Sequence, residues 1–239
     1  MKRLYSRPVI LLFAVIGFFS MSVNSCEELI SLPMSEAEVA SGLREALTIG
    51  AVNAVLATNK ENGYFGNDAI KIPFPAEAAG AMNYMQNSAL LRPLLNEFVL
   101  RLNRAAEQAA VNARPIFTNA IRDITIQDAW GILRGGQNAA TNYLHDRTYS
   151  QLYSAFKPDV IRSLNSVGAQ NAWAELTNAY NTIATLSPNL NKVNTDLADY
   201  ATNKALDGLF LMVAEEEAKI RRDPAARVTE LLKKVFAQQ

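Results

Sequence analysis

The sequence predicts an all-α fold: a single-domain helical bundle of about seven to nine helices, with an extended Pro-containing strap near residues 63-75. Three observations carry that prediction. Apolar residues recur at three- and four-residue steps through most of the chain, the period of one helix face. Helix-start signals such as Ser35-x-x-Glu38 and Thr125-x-x-Asp128 open several of these stretches. No alternating strand pattern of convincing length and no internal repeat is found.

Taken from the start, Lys2, Arg3 and Arg7 precede the apolar run Val9 to Phe19, which is the order of a secretory signal. That run falls well short of the roughly 20 residues that span a bilayer as a helix. Val23, Asn24 and Ser25 before Cys26 resemble a lipobox, the signal at which bacterial lipoproteins are cleaved and acylated on cysteine. The expected organisation is therefore a signal peptide over 1–25, a tether over 26–34 and one helical domain over 35–239. Ordinary cleavage nearby, leaving a soluble periplasmic protein, is the alternative. Cys26 is the only cysteine, so an intramolecular disulfide and thiolate metal sites are excluded. Acylation gives that lone thiol a use, each buried methylene adding about 0.8 kcal/mol of membrane affinity.

Cleavage before Cys26 removes three basic side chains and no acid, leaving 20 basic against 23 acidic and a net charge of −3. Such a field is too weak to steer nucleic acid, and no nucleic-acid partner is expected. No Ser/Gly/Pro-rich linker divides the chain, which is long enough to bury a core.

Behind the Ser35 cap, Val39, Leu43, Ala46, Gly50, Ala54 and Ala57 form one apolar stripe, and Ile49, Val52 and Leu56 a second flank. A helix apolar on two sides belongs at the centre of a bundle. Gly42, Ala46, Gly50 and Ala54 open one face to close approach. Next, "NGYFGNDAIKIPFP" breaks the period: Gly63, Gly66 and Asn67 mark turns, while Pro73 and Pro75 hold the backbone extended. Ile72 and Phe74 make this strap a plug against the bundle in preference to a lip beside a groove. Leu95, Phe98, Val99, Leu102, Ala106, Ala109 and Ala113 then give the most regular stripe, expected to pair tightly with the first helix.

Pro115 bends or restarts that helix, and Ile116, Phe117, Ala120 and Ile121 continue it. Thr125 and Asp128 cap a short helix carrying Trp130 and Leu133, stopped by Gly135 and Gly136. A further helix presents Leu144, Thr148, Leu152, Ala155 and Phe156 and is expected to break at Pro158, with Gly168 ending its continuation. Trp173, Leu176 and Tyr180 belong to another that ends near Ser187-Pro188. The last long helix starts near Asp196, and Asp223-Pro224 pairs a cap with a first-position proline for a terminal helix.

Several blocks carry a resemblance: "GLREALTIGAVNAV", "AIKIPFP", "NRAAEQAA" followed by "PIF", "AATNYL", "KALDGLFLMVAEEE" and "LLKKVF". They resemble the bacterial domain of unknown function 4197 family from about Leu32 to Phe236. The resemblance implies a small exported helical protein, frequently with a lipoprotein signal. It implies no established activity and supplies no catalytic residue. Acids expected at the positions of Gln137 and Asn96 are missing here.

The inventory narrows the chemistry. His145 is the only histidine, which rules out a multi-histidine metal site, and no phosphate loop, nucleophile elbow or paired-His zinc helix appears. No cofactor and no metal are expected. His145 lies beside Leu144 and near the Thr148/Leu152 stripe, where a core-edge residue is the simpler reading than a catalytic base.

The run "AEEEAKIRRDP" remains. Leu206, Leu209, Phe210, Val213 and Ile220 define an apolar face, and at about 100° per residue Glu217 falls inside it. Glu215 points away, expected to pair with Lys219, and Glu216 lies at the border. A carboxylate in an apolar stripe must be paired or protonated. The candidate buried polar cluster is Glu217 with Arg221, Asp199 and Arg104; Arg114 and Arg227 are further partners within the sequence's reach. A structural ion pair is preferred to a ligand site. The functional expectation is a lipid-anchored, non-catalytic envelope module, held to the membrane through its N-terminal lipid, that binds an envelope protein or an apolar ligand between its helices. An envelope enzyme working with carboxylates and arginines alone is the alternative.

Overall fold

Ser35 opens the first helix, α1 (Glu36–Thr58), through a reciprocal box in which the Glu38 amide donates to its hydroxyl and its own amide donates to the Glu38 carboxylate. The computed structural model describes residues 34–237 except 77–78, 80–85, 88, 90–91, 167, 187–191, 193 and 195. The expected signal peptide, Cys26 and all of the tether but Met34 lie outside the described residues, as do Ser187 and Pro188. Residues from Met34 onward make one contact unit.

After α1 come a turn-rich strap, α2 (Arg92–Ala109), a 3-10 turn (Ala110–Asn112), α3 (Ala113–Arg122), α4 (Ile126–Arg134) and α5 (Ala139–Ser166). Then follow α6 (Ala169–Leu186), α7 (Leu197–Arg222), a 3-10 turn (Pro224–Ala226) and α8 (Glu230–Phe236). The fold is all-α, with no strand among the described residues. Six of these helices have ten or more residues, so long helices are slightly fewer than expected.

Local signals place most boundaries. Thr125 and Asp128 cap α4 reciprocally, and hydrogen bonds from the Thr125 backbone and then its hydroxyl hold the Asp128 carboxyl below its ordinary range. Pro115 is the third residue of α3, where its missing N–H costs nothing because first-turn amides have no helical acceptor. Asp196 caps α7. Gly168 takes φ +67°, the left-handed turn that closes α5.

Pro158 does not break α5, which runs unbroken through it. Its side and that of Ser154, whose carbonyl loses an amide partner, face solvent, while Phe156, Val160 and Leu164 are buried. Packing of that stripe outweighs a propensity cost of about 3 kcal/mol. Asp223-Pro224 also differs from expectation: it caps only the 3-10 turn, and Thr229 caps α8.

α1 is central, packing against α3, α4, α7 and α8. Its small-residue face does not pair with α2; that expectation is corrected by the close approach of Gly50 to Glu216 and Ile220 of α7, and of Gly42 to Val235 of α8. α2 lays its alanines against α5 instead. Because α1 and α2 are separated by the strap, nothing in their individual periodicities decided which helix each would meet. α1 is long and apolar enough to cross a membrane by composition, yet most of its apolar stretch is buried among the other helices.

The strap is a plug. Ile72 is buried, and its N–H and C=O are taken by the side-chain amide of buried Asn103 at 2.8 and 2.9 Å. Asn103 thus acts as a one-residue strand edge. Tyr64, also fully buried, donates its hydroxyl to the Ala205 carbonyl at 2.7 Å, and burial first, then the charge of Glu107, pushes its ionisation far above the ordinary range. Gly208 leaves the room it needs, since a Cβ there would lie 2.7 Å from the Tyr64 ring. Phe74 packs between Phe98 and Trp173, with ring centroids 5.3 and 5.9 Å away.

Two outcomes test this packing. Gly42→Ala, whose Cβ would meet Val235 at 2.5 Å, and the overpacking changes Ala46→Leu and Ala109→Leu should each cost about 1–3 kcal/mol in denaturant melts. Asn103→Leu should cost about 1–3 kcal/mol for each Ile72 backbone group it strands and should hasten proteolysis within residues 63–75; a parent-like cleavage rate would show that another group satisfies Ile72.

Candidate functional site

Four helices converge on Glu217. Its carboxylate, 7% exposed as a residue, projects from α7 toward the first turn of α5. Oε1 accepts from the Ala140 amide at 3.0 Å and from Arg221 Nε at 2.9 Å. Oε2 accepts from the amide and the hydroxyl of Thr141, both at 2.8 Å. Ala140 and Thr141 are the second and third residues of α5, the amides that an N-cap side chain ordinarily satisfies. A residue on another helix does the capping here, and its negative charge faces the positive end of the α5 dipole.

Arg221 completes the arrangement. Its Nη2 donates to the Ile132 carbonyl at 2.8 Å and its Nη1 to Leu133 at 3.3 Å, both in the last turn of α4. One i,i+4 ion pair on α7 therefore closes the C-terminus of α4 and the N-terminus of α5. The turn between them is tight enough that a Cβ on Gly135 would sit 2.5 Å from that of Ala139. Arg227 does the same service for α7, donating to the carbonyls of Ile220 and Arg221.

The other members of the expected cluster lie elsewhere, which corrects the four-residue grouping. Asp199 is 18 residues from Glu217 on the same helix, about 27 Å along the axis. It accepts from the Tyr153 hydroxyl and from Asn194 at 2.9 Å, with Lys157 at 3.9 Å. Hydrogen bonds to Asp196 and then Tyr153 hold the Lys157 ammonium charged above its ordinary range. Arg104 on α2 donates to Glu107, Glu61 and Asn62. Glu107 was not singled out by the sequence. It is buried, receives the Tyr64 and Phe65 amides at 3.2 Å each, and ties the strap to α2. The available signal was the i,i+4 pair Asn103 and Glu107 beside the Leu102/Ala106 stripe.

The remaining expectations resolve simply. Lys219 pairs with Glu216, not Glu215, because Glu216 is already held at the α1–α7 border by the Asn53 amide. His145 is about half exposed beside Asp146, its ring tilted against those of Tyr149 and Phe210; among the described residues no serine or threonine hydroxyl bonds to it. Gln137 and Asn96 are both exposed. No group of three metal-ligating side chains occurs among the described residues. The apolar cavity beside Glu217, lined by Leu43, Leu47, Leu144 and Phe236, has about 20 Å³, room for one water and not for an organic ligand.

Glu217→Ala should destabilise by about 3–5 kcal/mol, because it leaves a buried guanidinium unpaired, whereas Glu215→Ala should stay within about 0.5 kcal/mol. Denaturant midpoints of the two variants check this, and equal midpoints would refute the capping role.

Comparison with known proteins gives one family: the model described as "Protein of unknown function (DUF4197)" matches residues 33–237. Neither a curated protein nor a solved structure matches the chain.

Proposed function

Since the chain belongs to the DUF4197 family, whose description assigns no activity, we propose from its own residues that it is a non-catalytic cell-envelope module, tethered to the membrane through acylated Cys26. The observation that carries the non-catalytic part is the state of Glu217. Four hydrogen bonds occupy its two oxygens and all four come from the fold itself. A general acid or base needs a free lone pair or proton within reach of substrate, and this carboxylate offers neither. Glu107 has both oxygens engaged in the same way.

The small volume of the interior cavity favours a partner met at the surface over an apolar ligand held between the helices. The anchoring part rests on the sequence: basic residues, a short apolar run, and a lone cysteine after Val23-Asn24-Ser25. An eight-residue stretch from Glu27 to Met34 would separate the lipid from the Ser35 cap, at most about 29 Å when fully extended.

Cys26→Ala should move the protein from the membrane fraction to the soluble envelope fraction, and mass spectrometry of the parent should find acyl chains on an N-terminal Cys26. A mature N-terminus elsewhere, with Cys26 unmodified or removed, refutes the anchor. Loss of a measurable hydrolytic activity in Glu217→Gln at unchanged stability would refute the non-catalytic reading.

A further inference from the structure

α8 has seven residues, fewer than the roughly 12 to 15 at which a helix becomes even marginally stable by itself in water. It therefore exists only while docked. Thr229 caps it, Glu230, Lys233 and Lys234 face solvent, and Leu232, Val235 and Phe236 are buried. Its broad contact is with α1, where Gly42 leaves the space that Val235 enters. The connection from α7 adds little hold, since residues 222–225 are exposed and Val228 is 67% exposed.

Arg227 is the exception. From the middle of that connection its Nε donates to the Ile220 carbonyl at 3.0 Å and its Nη2 to the Arg221 carbonyl at 2.8 Å. Its guanidinium also lies over the Phe236 ring, 5.4 Å from the centroid. One side chain fastens the last carbonyls of α7 to an aromatic ring of α8.

What α8 covers is the buried ion pair. Phe236 lines the same apolar cavity as Glu217 and Arg221, and the rest of that lining comes from α1, α5 and α7. The fastening and the ion pair also share a residue: Arg221 gives its carbonyl to Arg227 and its guanidinium to Glu217.

From these contacts we infer that α8 is a lid, latched by Arg227, which opens as one unit while the other helices stay folded, and that its opening admits water to the Glu217–Arg221 pair. Opening in units follows from the shortness of the helix, whose hydrogen bonds are lost together once its packing is lost. In the closed state Glu217 takes the Ala140 and Thr141 amides out of the reach of water. In the open state water competes for the same carboxylate, so those two amides exchange with α8 although they belong to α5.

Amide hydrogen exchange in the full chain, read residue by residue by NMR, tests the lid. The amides of residues 233–237 should share one opening equilibrium, distinct from that of the middle of α1 and α7, and Ala140 and Thr141 should follow it. Arg227→Gln should raise exchange at all of these about tenfold and leave Leu152 and Leu209, in the middle of α5 and α7, at the parent's rate. Arg227→Lys, which keeps the charge and loses the fork that spans two carbonyls, should fall between the two. Exchange that quickens progressively toward Ala237 is end fraying and overturns the lid. So does an opening shared with Leu209 in the parent, or an Arg227→Gln variant that quickens α5 and α7 as much as α8. Unchanged exchange at Ala140 and Thr141 while α8 opens overturns the admission of water to the pair.

Discussion

The ion pair of Glu217 and Arg221 sits where four helices need it. Two charges on one face of α7 are nearly removed from water, a costly placement unless every polar atom finds a partner. Each does. The carboxylate takes the first-turn amides of α5 and the guanidinium takes two carbonyls in the last turn of α4, of which Ile132 also accepts the Gly135 amide, so two helix ends and a buried ion pair satisfy one another. α1 and α8 close over the same spot through Leu43, Leu47 and Phe236. The chain can therefore turn sharply at Gly135 without stranding backbone groups in the core, and α5 can start against α7 in a single register.

The strap obeys the same constraint by different means. A non-helical segment laid on a bundle carries amides and carbonyls that neither a helix nor water satisfies. Asn103 supplies one amide face for Ile72, Glu107 an anionic acceptor for the turn at Tyr64 and Phe65, and Tyr64 a donor for Ala205. Polar residues within the core are accordingly engaged with backbone, and no buried side-chain polar atom among the described residues lacks a partner.

Much of the helical framework was legible because its causes are local. Ser35 with Glu38, Thr125 with Asp128, and Asp196 each mark a helix start through side chains within three residues of the amides they satisfy. Glu217 within its stripe, and its i,i+4 relation to Arg221, were legible for the same reason: both follow from helix periodicity. Pro158 was misleading since local propensity forbids what a well-buried stripe on either side enforces. Lys219 chose Glu216 because Asn53, from a distant helix, had already fixed that carboxylate.

By itself, then, the sequence determined that the chain is all-α, which face of each helix turns inward, and that Glu217 must be paired. These depend on side chains within about one turn of each other, where spacing along the chain is spacing in space. Only the tertiary structure decided what meets across the core: α1 against α7 and α8 and not α2, Glu217 against the α5 amides and not Arg104, Glu107 against the strap. Those partners lie from 42 to 77 residues apart in the side-chain cases. Over such separations the hydrophobic pattern says only that a face is buried, and the neighbour is selected by which helix ends and backbone groups still lack a hydrogen bond when the bundle closes.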